Sequence, residues 1–156
     1  MDYATLKSLL AALERQSVTY AIFGAVALNL HGLARFTEDL DIFIAPEAAN
    51  IERLKVALRS VVDDPEIDFI TASDLLGRYP AVQYTPPDGT FRLDILTRLG
   101  DAFAFSDLEV ERVPFEELTV NVVTARTLYR MKKDTVRLKD RADAELLRQR
   151  FRLDGD

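Results

Sequence analysis

The segment "FGAVALNLHGLARFTEDLDIFI", residues 23–44, holds the residues best suited to chemistry. Asp39 and Asp41 stand two apart inside an apolar, β-branched run. Side chains two apart on a strand share a face, so the two carboxylates project together. Adjacent like charges are costly unless a cation or a donor stands between them. A hard divalent cation meets that need, because Mg²⁺ takes oxygen ligands from one or two carboxylates and from substrate phosphates. A third acid, Asp94, lies in another apolar run, "FRLDILT". If its strand pairs with that of Asp39 and Asp41, three carboxylates meet. Such a triad can hold two Mg²⁺ ions, with Mn²⁺ as the alternative, about 4 Å apart for displacement at phosphorus. The plain alternative is that all three are strand-end or solvent-face aspartates.

Gly24 ends a β-like run and opens a helix-like one. A glycine there lets backbone N–H groups approach a phosphate. Thirteen residues separate Ala25 from Asp39, and that spacing ties the turn to the acids. Arg35 and Thr37 fall in the connecting loop, Arg35 to face a phosphate and Thr37 to fix the loop. The competing assignment for Arg35 is an ion pair with Glu38 or another surface acid. His31, the one histidine, precedes Gly32. Interaction with the end of a helix dipole explains it without a catalytic role.

Periodicity supplies the elements that must hold these residues. Residues 2–16 read as an amphipathic helix with Tyr3, Leu6, Leu9, Leu10 and Leu13 on one face. "VTYAIF" (18–23) and "DLDIFIA" (39–45) read as strands. Between them "AVALNLHGL" forms a short helix, and after them "PEAANIERLKVALRSV" a longer one with Ile51, Leu54, Leu58 and Val61 inward. "EIDFIT" is expected as a strand, and "ASDLLGRY" as a short helix capped by Ser73. "AVQYTPPDGTFRLDILTRL" has the form of a hairpin about the turn "PPDG". "LEVERVPF" and "LTVNVVT" pair across "EE". From about residue 124 to 152 the pattern is helical, and the tail "RLDGD" is expected to fray. This order predicts an α/β (α+β) domain over 1–156, with a mixed sheet flanked by helices and C-terminal helices.

Composition narrows the classes. The chain has 156 residues, 48% hydrophobic and 29% charged, as in a soluble globular protein. No apolar stretch approaches the roughly 20 residues of a membrane span, and the N-terminus lacks the unbroken apolar block of a signal peptide. There is no cysteine, which excludes thiolate chemistry and fits a cytoplasmic location. A net charge of −6 opposes avid, sequence-independent binding of nucleic acid. The basic residues nevertheless gather between Arg126 and Arg152. There Lys132, Arg137, Lys139, Asp140 and Asp143 form the pattern K-x-x-x-x-R-x-K-D-x-x-D. Asp140 and Asp143 read as an ion-pair network that ties this helix down.

Together, Gly24-Ala25, "HGLARFTEDLDIFI" and the later "LDI" resemble the DNA polymerase β-like nucleotidyltransferase superfamily. "R-x-T-x-D-h-D" and "LYRMKKDTVRLKDRADAELL" are similar to its AbiEii-type branch, many of whose members are toxins of toxin–antitoxin or abortive-infection systems. The resemblance implies transfer of a nucleoside monophosphate from an NTP to an acceptor hydroxyl in RNA (tRNA included), a protein or a small molecule. It assigns Asp39, Asp41 and Asp94 to Mg²⁺ and catalysis. Gly24, Ala25, Arg35, Thr37 and Lys132 go to the nucleotide. It also implies an antitoxin partner, and a chain this short leaves room for a partner or a second copy to complete the cleft. The family most often has Gly-Gly or Gly-Ser where this chain has Gly24-Ala25. Alanine keeps the N–H but lacks both the hydroxyl and the open backbone. The alternative is therefore a weakened module of the same fold that binds nucleotide or a partner protein.

Overall fold

The computed structural model describes residues 1–77, 80–133, 135 and 137–153. Helix α1 (Tyr3–Arg15) leads into strand β1 (Tyr20–Phe23), helix α2 (Gly24–Leu30), strand β2 (Asp39–Ile44) and helix α3 (Ala48–Val61). A short helix α4 (Ala72–Leu75) precedes strands β3 (Ala81–Tyr84) and β4 (Arg92–Leu96). A small hairpin, β5 (Arg98–Leu99) and β6 (Phe103–Ala104), follows. Strands β7 (Val110–Phe115) and β8 (Leu118–Val123) then lead to helices α5 (Ala125–Lys132) and α6 (Leu138–Phe151).

Six strands form one mixed sheet in the order β3-β4-β2-β1-β8-β7. Neighbours β1–β8 and β2–β4 are parallel, and the other pairs antiparallel. The sheet is mixed and flanked by helices, as the sequence pattern predicts. Its centre is buried because β1 and β2 alternate or run apolar: Ala21, Ile22, Leu40, Ile42, Phe43 and Ile44 are all inaccessible. Helix α1 turns Leu9, Leu10 and Leu13 into the core, and α3 turns Ile51, Leu54 and Leu58. Tyr3 stays half exposed, with its ring 5.3 Å from that of Phe115. Buried Asn50 joins the entrance of β1 to the exit of β2, accepting from the Thr19 amide and donating to the Thr19 and Ala45 carbonyls.

Two local expectations fail for identifiable reasons. "EIDFIT" is a 3₁₀ turn over Pro65–Phe69 rather than a strand. Asp64 accepts from the Glu66 amide, and Pro65 presets the helical φ. Ile67 and Ile70, three apart, are buried while Phe69 is exposed, so the burial period is three rather than two. The cap of α4 is Thr71, whose hydroxyl accepts from Asp74 N at 3.1 Å, rather than Ser73. The expected hairpins are present: β3–β4 turns at "PPDG", where Gly89 N donates to Pro86 O, and β7–β8 turns at Glu116-Glu117. The expectations for Arg78, Tyr79 and Asp134, and for the tail from Asp154, lie outside the described residues.

Candidate active site

Register assembles the acids. The parallel β2–β4 ladder sets Asp39 opposite Arg92 and Asp41 opposite Asp94. Side chains at matched positions of neighbouring strands share a face, so the two halves of the triad meet without help from a loop. The apolar partners in the ladder, Leu40 with Leu93 and Ile42 with Ile95, go into the core and lock that register.

The carboxylates differ in their surroundings. Asp41 is the most enclosed: burial, then a hydrogen bond with Asp94, then the charges of Asp94 and Asp39 push its pKa up to about 7, while Lys132 opposes the shift. Asp39 is turned onto Arg92, whose Nε donates to Asp39 Oδ1 at 2.8 Å. Asp94 accepts from Gln83 Nε2 at 3.0 Å, across the antiparallel β3–β4 pair.

Gly24 sits against the same acids. Its φ is +68°, and a Cβ there would fall 2.1 Å from Asp41 Oδ2. Only glycine adopts that backbone without strain and leaves room for the carboxylate. Its first task in the fold is thus to seat Asp41.

The opposite wall is basic and comes from the loop, α5 and α6. Arg35 donates through Nε (2.9 Å) and Nη2 (2.6 Å) to Asp143 Oδ1, and through Nη1 to Ala34 O. Lys132 Nζ lies 3.1 Å from Asp140 Oδ1 and 3.4 Å from Asp143 Oδ2. Asp143 is nearly inaccessible, with 3% of its side chain exposed. Arg35 therefore pairs with Asp143 rather than with Glu38, and the acids of α6 make the ion-pair network that the sequence pattern suggests. Among the described residues, one N–H on each Arg35 Nη and one on Lys132 Nζ is left without a partner. The loop is pinned elsewhere too. Thr37 Oγ1 accepts from Asp39 N at 3.0 Å, and Asn29 exchanges two hydrogen bonds with the Arg35 backbone.

Acids, glycine turn and cations line one cleft of about 440 Å³. Gly24, Ala25, Arg35, Thr37, Asp39, Asp41, Asp94 and Lys132 are all on its walls, joined by Arg137, Lys139, Asp140 and Asp143. His31 is not on them. It ends α2 and bridges to β8 and α6, with Nε2 2.8 Å from Val123 O and its ring edge-on to Phe151. Among the described residues, no three His, Cys, Asp or Glu side chains stand ready as a metal cage. The donor set nevertheless fits a hard divalent cation. It is all carboxylate oxygen, and burial and the neighbouring charges of Asp94 and Asp39 disfavour the ionised form of Asp41, a cost that a cation would offset.

Sequence reasoning missed Arg92 and Gln83. Arg92 could have been found, because "RLD" in β4 repeats the two-residue spacing of "DLD" in β2. Gln83 carries no such signal, since only the β3–β4 register places it.

The fold is that of the nucleotidyltransferases. The lincosamide antibiotic adenylyltransferase LnuA, solved with lincomycin bound, aligns over 95% of this chain and 97% of its own, with TM-score 0.61 and 13% identity. ANT(2")-Ia in complex with adenylyl-2"-tobramycin aligns over 95% and 88%, with TM-score 0.59 and 11% identity. The Thermotoga maritima protein TM1012 aligns over 96% and 91%, with TM-score 0.57 and 14% identity. At such identities the likeness shows the fold. The family comes from the sequence: residues 8–152 match the nucleotidyl transferase AbiEii toxin model of type IV toxin–antitoxin systems, and the chain belongs to that family. No curated protein matches it.

Proposed function

We propose that the chain transfers a nucleoside monophosphate from an NTP to an acceptor hydroxyl, with Mg²⁺ held by Asp39, Asp41 and Asp94. The carrying observation is the register that puts Asp41 beside Asp94 in a cleft walled on its far side by Arg35 and Lys132. Bound there, Mg²⁺ would neutralise the phosphates and make the acceptor hydroxyl more acidic. The free N–H groups of Arg35 and Lys132 bind the triphosphate, and Asp143 fixes their direction. Asp94, steadied by Gln83, takes the proton of the attacking hydroxyl. The hydroxyl oxygen bonds to the α-phosphorus, and the bond to the β-phosphate oxygen breaks, releasing pyrophosphate.

Arg137, largely exposed, and Lys139, at the rim, favour an acceptor that carries phosphates, and RNA fits best. The family relation supports a growth-arresting toxin with an antitoxin partner, acting in the cytoplasm. The test is calorimetric titration of each of the four NTPs, with and without Mg²⁺, into the wild type and an Asp39→Asn, Asp41→Asn double variant. One NTP should bind only with Mg²⁺, and the variant should lose it. That nucleotide, labelled at the α-phosphate, should then mark RNA. If no NTP binds the wild type, Ala25 gains weight and the chain becomes a binding module of this fold.

A further inference from the structure

Within the fold, Arg92 brings a positive charge onto the triad at Asp39. Asp41 and Asp94 stand at matched positions of the β2–β4 ladder. The third, Asp39, receives Arg92 Nε at 2.8 Å from the matched position on β4. The guanidinium thus does part of the work that the proposed cation would do. The guanidinium covers Asp39 Oδ1 and leaves Oδ2 uncovered, but its positive charge beside a bound divalent cation suffers direct repulsion. Both ends of the pair are partly exposed, 45% for Arg92 and 30% for Asp39, so the guanidinium has solvent to move into.

We propose that Arg92 is the internal counter-ion of Asp39 and must be displaced when a divalent cation binds, so that this positioning residue sets the metal affinity of the triad. The inference rests on the metal-dependent reading above. Gln83 is the contrasting case on the neighbouring strand. It is neutral and occupies one Asp94 oxygen, so it can stay in place and orient that carboxylate while metal is bound.

The test is a titration of Mn²⁺ into nucleotide-free protein, with free Mn²⁺ followed by its paramagnetic resonance signal. Arg92→Gln should bind Mn²⁺ about two- to five-fold tighter than wild type, the range expected for releasing one partly exposed ion pair. Arg92→Lys, which keeps the charge but not the planar fork, should fall between them. Gln83→Leu should bind about ten-fold weaker. A merely structural role for Arg92 would not tighten binding, and a general disturbance of the sheet would weaken both variants. A second readout guards against misfolding: in EDTA the Arg92→Gln protein should melt below wild type, and saturating Mn²⁺ should close that gap. Unchanged or weaker Mn²⁺ binding by Arg92→Gln overturns the inference. If binding is also lost by Asp41→Asn, the metal site survives and only the role of Arg92 falls. If neither the wild type nor Arg92→Gln binds Mn²⁺, both the inference and the metal-dependent reading fall.

Discussion

The two walls of the cleft hold charge in opposite ways. On the basic wall Arg35, Lys132 and Arg137 each have a carboxylate partner built into the fold, and Asp143, almost wholly enclosed, serves both Arg35 and Lys132. On the acidic wall three carboxylates converge with one guanidinium, that of Arg92, set against Asp39. The first arrangement is self-sufficient, because a buried carboxylate between two cations is satisfied while it is ionised. The second leaves like charges close together, which the proposed cation would offset.

That contrast can be broken at four points. Asp41→Asn should have the largest effect, lowering nucleotidyl transfer at least about 100-fold in an assay of labelled RNA. The same change should stabilise the metal-free protein above pH 7. The folded pKa of Asp41 lies near 7, above its ordinary value of 3.8, so the folded state binds more protons than the unfolded state between those limits. Stability of the wild type therefore falls as pH rises through that window, and Asp41→Asn should flatten the fall in melting curves taken in EDTA. Melting curves that stay parallel at all pH values would show that Asp41 is already neutralised by another route.

Asp143→Ala tests the other wall. It leaves two cations facing one another without their shared partner and should cost about 3–5 kcal/mol by urea unfolding at any pH near neutrality. A loss of less than about 1 kcal/mol would mean that Asp140 alone can serve Lys132 and that the basic wall is less rigid than its geometry implies. Gly24→Ala comes next. The added Cβ would meet Asp41 Oδ2 and the left-handed backbone together, for a cost of about 1–3 kcal/mol. Because the clash is with the carboxylate, Asp41→Asn should not rescue it, whereas Asp41→Ala should recover part of the loss. The smallest effect belongs to a pair away from the cleft: Lys7→Ala, which removes an exposed ion pair with Glu117 at 2.7 Å, should change stability by about 0–1 kcal/mol and leave transfer untouched.

The sequence carried the acid triad because the signal was local. Asp39, Asp41 and Asp94 each interrupt an apolar strand pattern, and period two fixes the face on which they lie. The glycine turn was legible for the same reason, although its contact with Asp41 was not. The failures were also local in origin. "EIDFIT" has strand-like composition, and the cap at Asp64 with Pro65 behind it overrode that composition. Thr71 and Ser73 are both good caps, and the choice between them depended on where the chain entered α4.

By itself the sequence determined the class of fold, the three acids, the glycine turn and the basic C-terminal segment, since each rests on residue type and short spacing. Tertiary structure alone decided who faces whom. It paired Arg35 with Asp143, 108 residues away, set Arg92 on Asp39 across 53, and placed Gln83 beside Asp94 through a hairpin. The physical reason is that spacing along a chain fixes the direction of a side chain, whereas its partner is fixed by strand register and helix docking, which depend on the packing of the whole core.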